Sequence, residues 1–223
     1  MIRPAVLERR IGHRFQDPAL LAQALTHRSF GSPHYERLEF LGDSVLGCAV
    51  TELLFQRHPE LPEGKLSRIR AGLIREESLA RIARELGVAA FLRLDESTAR
   101  NEGAERPSIL ADALEAIYGA VFLDGGYGAA REVVARTFGA SLSQLDPDSV
   151  EKDAKTRLQE YLQARRRAKP AYRVVATSGA KQSLTFEVEC ALEEPALKAL
   201  GSGSSRQRAE QQAAGRLLKL LET

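Results

Sequence analysis

Apolar residues along the chain change rhythm once, near residue 145. Before that point they recur at three- and four-residue spacing and predict helix after helix, joined by loops. Leu38, Leu41, Val45 and Leu46 mark one face of a helix that runs on through Val50 toward Phe55. Ser32-Pro33 is suited to open it, with serine as N-cap and proline in the first turn. Leu66 to Leu86 repeats the helical spacing among many arginines, and Asn101 to Pro107 is polar and reads as a loop. Ser108 then caps Ile109 to Leu123, a segment apolar on nearly every face and so suited to burial, which Gly125-Gly126 ends.

Around Asp146-Pro147-Asp148 the composition turns polar and helix-breaking, and a different grammar follows. Lys155 to Arg165 predicts a helix with Leu158 and Leu162 on one face. Tyr172 to Thr177 and Leu184 to Ala191 are strand-like runs around the turn Ser178-Gly179-Ala180. A shorter strand, Ala196 to Leu200, leads into Gly201-Ser202-Gly203. An amphipathic helix from Ser204 to Leu221 has Ala209, Ala213, Leu217 and Leu220 as its inner side. The expectation is a multidomain chain, α plus α+β: an all-helical domain over 1–145, a linker over 146–152 and an α-β-β-β-α domain over 153–223.

Charge sharpens this division. The net +2 of the 223 residues hides an asymmetry: residues 153–223 carry 13 Lys and Arg against 8 Asp and Glu, and the rest carries 19 against 22. A basic tail domain fits a nucleic-acid partner, and equally fits a solvated surface. Two cysteines, Cys48 and Cys190, one per half and each inside an apolar stretch, are too few for a disulfide scaffold or a zinc site. They read as buried free thiols in a reducing compartment. With no signal-like or membrane-length apolar run, a soluble cytoplasmic protein is expected.

The most informative residues are acids among apolar neighbours. In Glu36-Arg37-Leu38-Glu39-Phe40-Leu41-Gly42-Asp43 the acids fall at relative positions 0, 3 and 7. At ~100° per residue they share an arc of roughly 60° on one helix face. Asp112 and Glu115 share a face of the second, wholly apolar helix. A buried carboxylate is costly unless paired, hydrogen-bonded or bound to a cation. Any one acid finds a partner readily among the arginines between Arg68 and Arg84; two clustered faces together fit a hard divalent cation better. Gly42-Asp43-Ser44 also resembles the start of an esterase motif. The histidines, His13, His27, His34 and His58, all lie early, and Ser44 sits within a predicted helix, so that reading lacks its base and its exposed elbow.

Glu36 to Leu46 (ERLEFLGDSVL) resembles the signature stretch of the ribonuclease III family, and Ser108 to Gly126 is similar to that family's second acidic helix. Thr26-His27-Arg28-Ser29 and Glu63-Gly64-Lys65-Leu66-Ser67 resemble further blocks in the same order. The resemblance implies a helical nuclease domain in which Glu39, Asp43, Asp112 and Glu115 gather Mg²⁺, with Mn²⁺ able to substitute and no small-molecule cofactor. Asp43 and Glu115 match the positions most critical for catalysis, and Glu36 and Glu63 match acids that contact RNA near the cut or tune the site. It further implies a homodimer built around the signature helix, with Phe40 inserting into the partner; the residues alone would let Phe40 equally well fill its own core.

The tail resembles a double-stranded RNA-binding domain, which reads A-form shape across two minor grooves. Thr156, Gln159, Glu160 and Gln163 match groove-facing positions. Gly179 to Gln182 matches a second contact, with Gln182 where many members carry histidine. Ser204, Ser205, Arg206 and Arg208 match a phosphate-binding helix start, with Gln207 replacing a commonly basic residue. Arg165-Arg166-Arg167 adds attraction or is a solvated helix end. The implied activity is hydrolysis of double-stranded RNA to 5′-phosphate and 3′-hydroxyl ends with short 3′ overhangs, in processing of ribosomal RNA precursors and messenger RNA. The rival is a non-catalytic double-stranded RNA-binding scaffold with a degenerate nuclease fold.

Overall fold

The computed structural model describes residues 5–100, 103–147, 154–179 and 184–222. The chain divides into two compact units, one up to residue 150 and one from residue 151. Most of the expected linker, and Gln182, lie outside the described residues.

The first unit is helical: α1 (Ala5–Ile11), α2 (Pro18–Ala24), α3 (Glu36–Arg57), α4 (Glu63–Leu73), α5 (Glu76–Glu85), α6 (Glu96–Arg100), α7 (Pro107–Thr137) and α8 (Gly139–Ser143), with 3₁₀ turns at Val88–Phe91 and Gly103–Glu105. Helix α3 starts at Glu36, not at Ser32-Pro33. The Tyr35 amide bonds the Thr26 carbonyl at 2.9 Å, so tertiary contact and not the serine sets the entry. The arginine-rich stretch is two helices, because Arg75 turns extended between them. Helix α7 has Pro107 in its first turn after Arg106, and Ser108 makes no cap.

Gly126 (φ 76°, ψ −176°) breaks α7, as its glycine pair implies. Beyond it the chain resumes helically and folds back, since Tyr118 Oη lies 2.8 Å from Thr137 Oγ1; on a straight helix nineteen residues would separate them by roughly 28 Å. Asp124, on the last turn before the break, ties the N-terminal loop down. Its carboxylate accepts from the amides of Gln16 and Asp17 at 2.9–3.1 Å and faces His13 Nε2 at 2.8 Å.

Helices α3 and α7 cross at the centre of this unit. A Cβ built on Gly42 would fall on the Glu115 carbonyl, and one on Gly119 on the Leu38 carbonyl. Two glycines therefore let two backbones touch, and around them Leu38, Leu46, Val50, Leu110, Leu114 and Ile117 form the core. Cys48, expected inside, is exposed at the outer face, with its Sγ 3.5 Å from Tyr127 Oη.

The second unit is α9 (Ala154–Ala164), β1 (Ala171–Ser178), β2 (Thr185–Leu192), β3 (Leu197–Gly203) and α10 (Arg206–Glu222). The strands form an antiparallel sheet in the order β1-β2-β3, with Tyr172 opposite Cys190, Val188 opposite Gly201 and a bulge between Val174 and Ala176. Gly201 and Gly203 belong to β3. A Cβ on Gly201 would meet the backbone of Ala209 and Ala213, so the missing side chain lets α10 lie close to the strand. Leu158, Leu162, Cys190, Ala213, Leu217 and Leu218 form the core. Leu220, expected inside, is 53% exposed, and Leu218 takes its place on the inner face.

Candidate active site

The close crossing of α3 and α7 brings their acidic faces together. Carboxylate oxygens of Glu39, Asp112 and Glu115 lie within 4.8 Å of one another, all half-buried. None of the three makes an ion pair among the described residues. Three of the arginines between Arg68 and Arg84 are paired elsewhere: Arg75 with Glu77, Arg81 with Glu85 at 2.7 Å and Arg84 with Glu105.

Uncompensated charge shows in the acidities. Burial, then the charges of Asp43, Asp112 and Glu39, push Glu115 from 4.5 up to about 8. Burial, then Asp112, Glu36 and Asp43, push Glu39 up to about 6. Asp112 is raised by burial, then by Glu76 and Glu36. Such a group of oxygens, crowded and with no ion-pair partner among the described residues, fits a hard divalent ion.

Of the other expected site residues, Asp43 lies one turn beyond Glu39, exposed and outside the group of three, yet its charge acts on Glu115 and Glu39. Glu36 is exposed and pairs with Arg28 at 3.3 Å. It shares a hollow of ≈ 510 Å³ with Arg28, Tyr35, Glu39, Arg106 and Asp112, so the acidic floor has a partly basic rim. Glu63 is elsewhere: it accepts from Ser67 Oγ at 2.7 Å and lines a second hollow with Phe55 and Arg70. Phe40 is 80% exposed on α3, which sets aside the reading that it fills its own core.

Two residues near the acids escape sequence reasoning. Tyr35 is buried, and burial followed by the charges of Asp112, Glu39 and Glu36 holds its phenol well above the usual value. Glu76, the first residue of α5, acts on Asp112. A buried aromatic immediately before the acidic helix is the available signal for Tyr35. Glu76 has none, because only the tertiary fold brings α5 to α7.

In the second unit Thr156, Gln159, Glu160 and Gln163 share the exposed side of α9, opposite Leu158 and Leu162. Ser204 to Arg208 are exposed, but two of them also serve the fold. Ser205 Oγ accepts from the Arg208 amide at 3.3 Å as an N-cap, and Arg206 Nε pairs with Glu210 Oε1 at 2.8 Å. Glu210 is a buried acid that sequence reasoning missed; it also binds Lys155 Nζ at 2.6 Å, joining α10 to α9.

Comparison with known proteins agrees with this division. Residues 17–142 match the family model described as ribonuclease-III-like, and residues 154–221 match the double-stranded RNA binding motif. Ribonuclease 3 from Dechloromonas aromatica is 53% identical over 213 residues, covering 96% of each chain. The crystal structure of the nuclease domain of ribonuclease III from Campylobacter jejuni superimposes with a TM-score of 0.62 at 42% identity, covering 66% of this chain and 100% of that one. A second structure of that domain (TM-score 0.61, 42% identity, 63% of this chain and 99% of the other) is described as showing structural flexibility in a region involved in dimer formation. With relatives of this identity spanning nearly its full length, and the acidic crossing in place, the chain belongs to the ribonuclease III family.

Proposed function

We propose that this protein is a Mg²⁺-dependent endonuclease of double-stranded RNA that works as a homodimer and leaves 5′-phosphate and 3′-hydroxyl ends with short 3′ overhangs. The observation that carries the reading is the convergence of Glu39, Asp112 and Glu115 with no ion-pair partner among the described residues. It also disfavours a non-catalytic scaffold, for which three repelling half-buried acids would be a cost with no return. These three hold the ion. Once bound, Mg²⁺ (or Mn²⁺) supplies Lewis-acid polarisation of the phosphoryl group and acidifies the attacking water.

Asp43, exposed next to the cluster, faces the solvent side from which water and RNA arrive. Arg28 and Arg106 on the rim of the hollow draw in the phosphate backbone, and Glu36 restrains Arg28 there. Each chain carries one acidic crossing, so cutting both strands takes two chains. Phe40, 80% exposed beside the acids on α3, is the contact that joins them. Glu63 lines a different hollow of its own chain, so an auxiliary role at the cut requires a second copy to bring it there. Ribosomal RNA precursors and structured messenger RNA are the substrate classes that family membership favours.

The test is cleavage of a long duplex and of a matched single strand, with and without divalent ions. Duplex-specific cutting that needs Mg²⁺ or Mn²⁺ and yields 5′-phosphates is expected. Tight duplex binding with no cutting under any divalent ion would overturn the enzymatic reading in favour of the scaffold.

A further inference from the structure

Helix α9 ends in an unusual way. The Arg167 amide bonds the Leu162 carbonyl at 2.9 Å and the Arg166 amide bonds the Gln163 carbonyl at 3.0 Å, the paired bonds that close a helix through a left-handed residue. That residue is Arg166, at φ 55°, the position where glycine is the usual choice because it carries no Cβ. Holding an arginine there disfavours the fold slightly, and its sharp turn swings the following residues back alongside the helix.

The consequence is a hollow of ≈ 390 Å³ lined by Gln159, Leu162, Gln163, Arg166, Arg167 and Lys169. Two of these, Gln159 and Gln163, lie on the exposed face of α9 that resembles the groove-reading surface. The three cations have no carboxylate partner among the described residues. Four other cations of this unit do: Lys155 and Arg206 flank Glu210, and Arg173 and Lys198 flank Glu189; Arg208 and Arg216 instead meet Ser204 Oγ and the Leu200 carbonyl. Arg165 is used differently, stacked 3.6 Å over the Tyr161 ring.

We propose that Arg166, Arg167 and Lys169 form a phosphate-binding corner that continues the duplex track of α9 past Gln163. The occupant is the RNA backbone flanking the groove that α9 faces. The inference rests on the reading of this unit as a double-stranded RNA binder and adds a contact at the α9–β1 turn to it. Its phosphate contacts are indifferent to base sequence. An arginine kept where glycine would fit better is consistent with strain retained for binding.

The test measures affinity of the full chain for two duplexes of unrelated sequence, in EDTA so that no cutting occurs, across roughly 50–250 mM salt. Each lost phosphate contact should reduce the slope of log K against log salt by ~0.9. Arg166→Gly should therefore flatten the slope by about 1, and Arg166→Gly combined with Arg167→Gln and Lys169→Gln by ~2–3. The triple variant should bind at least ~10-fold more weakly at physiological salt, equally on both duplexes. Arg166→Gly should melt at or above the wild-type temperature, which separates lost contacts from lost folding. An unchanged slope in the triple variant, with wild-type protein binding tightly, overturns this proposal and leaves the functional reading standing. A loss confined to one duplex overturns it as well, and absent duplex binding by wild-type protein removes both.

Discussion

Replacing Glu115 by glutamine should make the metal-free protein more stable while removing most of its response to metal. Glutamine has the shape of the protonated acid and cannot contribute a negative charge to the crossing of α3 and α7. Burial and three neighbouring carboxylates raise Glu115 from 4.5 to about 8, so its ionised form is disfavoured in the fold. A folded value above the unfolded one means that this contribution to stability is fully present below pH ~4.5 and is lost as pH rises through ~8. At roughly 1.4 kcal/mol per unit the full loss approaches ~5 kcal/mol, and near pH 7.5 about 4 kcal/mol of it has been incurred. The carboxylate is only half-buried, and solvent screening reduces this to about 2 kcal/mol.

For a unit of this size, ~2 kcal/mol corresponds to a rise of about 4–8 °C in melting temperature. Glu39, raised to about 6, adds the same sign of dependence to both proteins and largely cancels in the comparison. The assay is a pair of thermal melts in EDTA from pH ~4.5 to ~8.5, repeated with Mg²⁺ or Mn²⁺. The gap between Glu115→Gln and wild type should be near zero at the acid end and open toward pH 8. Metal at ~100 times its dissociation constant should stabilise wild type by about 2.7 kcal/mol and the variant by much less. Cleavage should fall at least ~100-fold, with duplex affinity within a few-fold of wild type. A variant that gains no stability at pH 7.5, or that metal stabilises as strongly as wild type, would refute the assignment of Glu115 to a shared cation.

Phe40→Glu should give a monomer in sedimentation at micromolar concentration with little double-strand cleavage; wild-type protein sedimenting as a monomer would sink the dimer assignment. Deleting residues 153–223 should leave a nuclease that cuts only at low salt, with a shallower salt slope, and undiminished duplex affinity at physiological salt would contradict the role given to that unit. Gly42→Ala should cost about 3 kcal/mol or more, because the methyl falls on the Glu115 carbonyl. Gly72→Ala in α4, exposed and with open space around it, should be stabilising by roughly 0.5 kcal/mol; equal effects in denaturant melts would disprove the steric argument.

Much of the fold was legible because periodicity reports which face of an element is buried. The phases of α3 and α9 and the strand runs of the second unit follow from it, whereas α7, apolar on nearly every face, shows only that it is buried. Boundaries were less legible. Ser32-Pro33 has the chemistry of a helix start, but the Tyr35 amide is already committed to the Thr26 carbonyl across a loop. Leu220 matched the expected stripe by type, yet α10 turns Leu218 inward because Gly201 draws Ala209 and Ala213 against β3. Cys48 lay within an apolar run, and only the fold-back of α7 after Gly126, which brings Tyr127 alongside α3, shows that it sits on the outer face.

The acidic site divides in the same way. Spacing placed Glu36, Glu39 and Asp43 on one face and Asp112 and Glu115 on another, but spacing within an element says nothing about where two elements meet. That information lies in Gly42 and Gly119, which inside helices look merely destabilising by propensity. Each lacks a side chain at the point where the other helix's backbone passes, and their coincidence determines which carboxylates converge. Glu39, Asp112 and Glu115 flank the contact and come together, whereas Glu36 and Asp43 lie a turn to either side and stay exposed. Ser205 and Arg206 show the complementary case: residue types that suit phosphate also suit a helix cap and an ion pair to Glu210. Loss of RNA affinity in Ser205→Ala would thus combine a lost contact with a loosened α10, whereas Arg208, whose guanidinium meets only Ser204 Oγ among the described residues, can report on phosphate binding more directly.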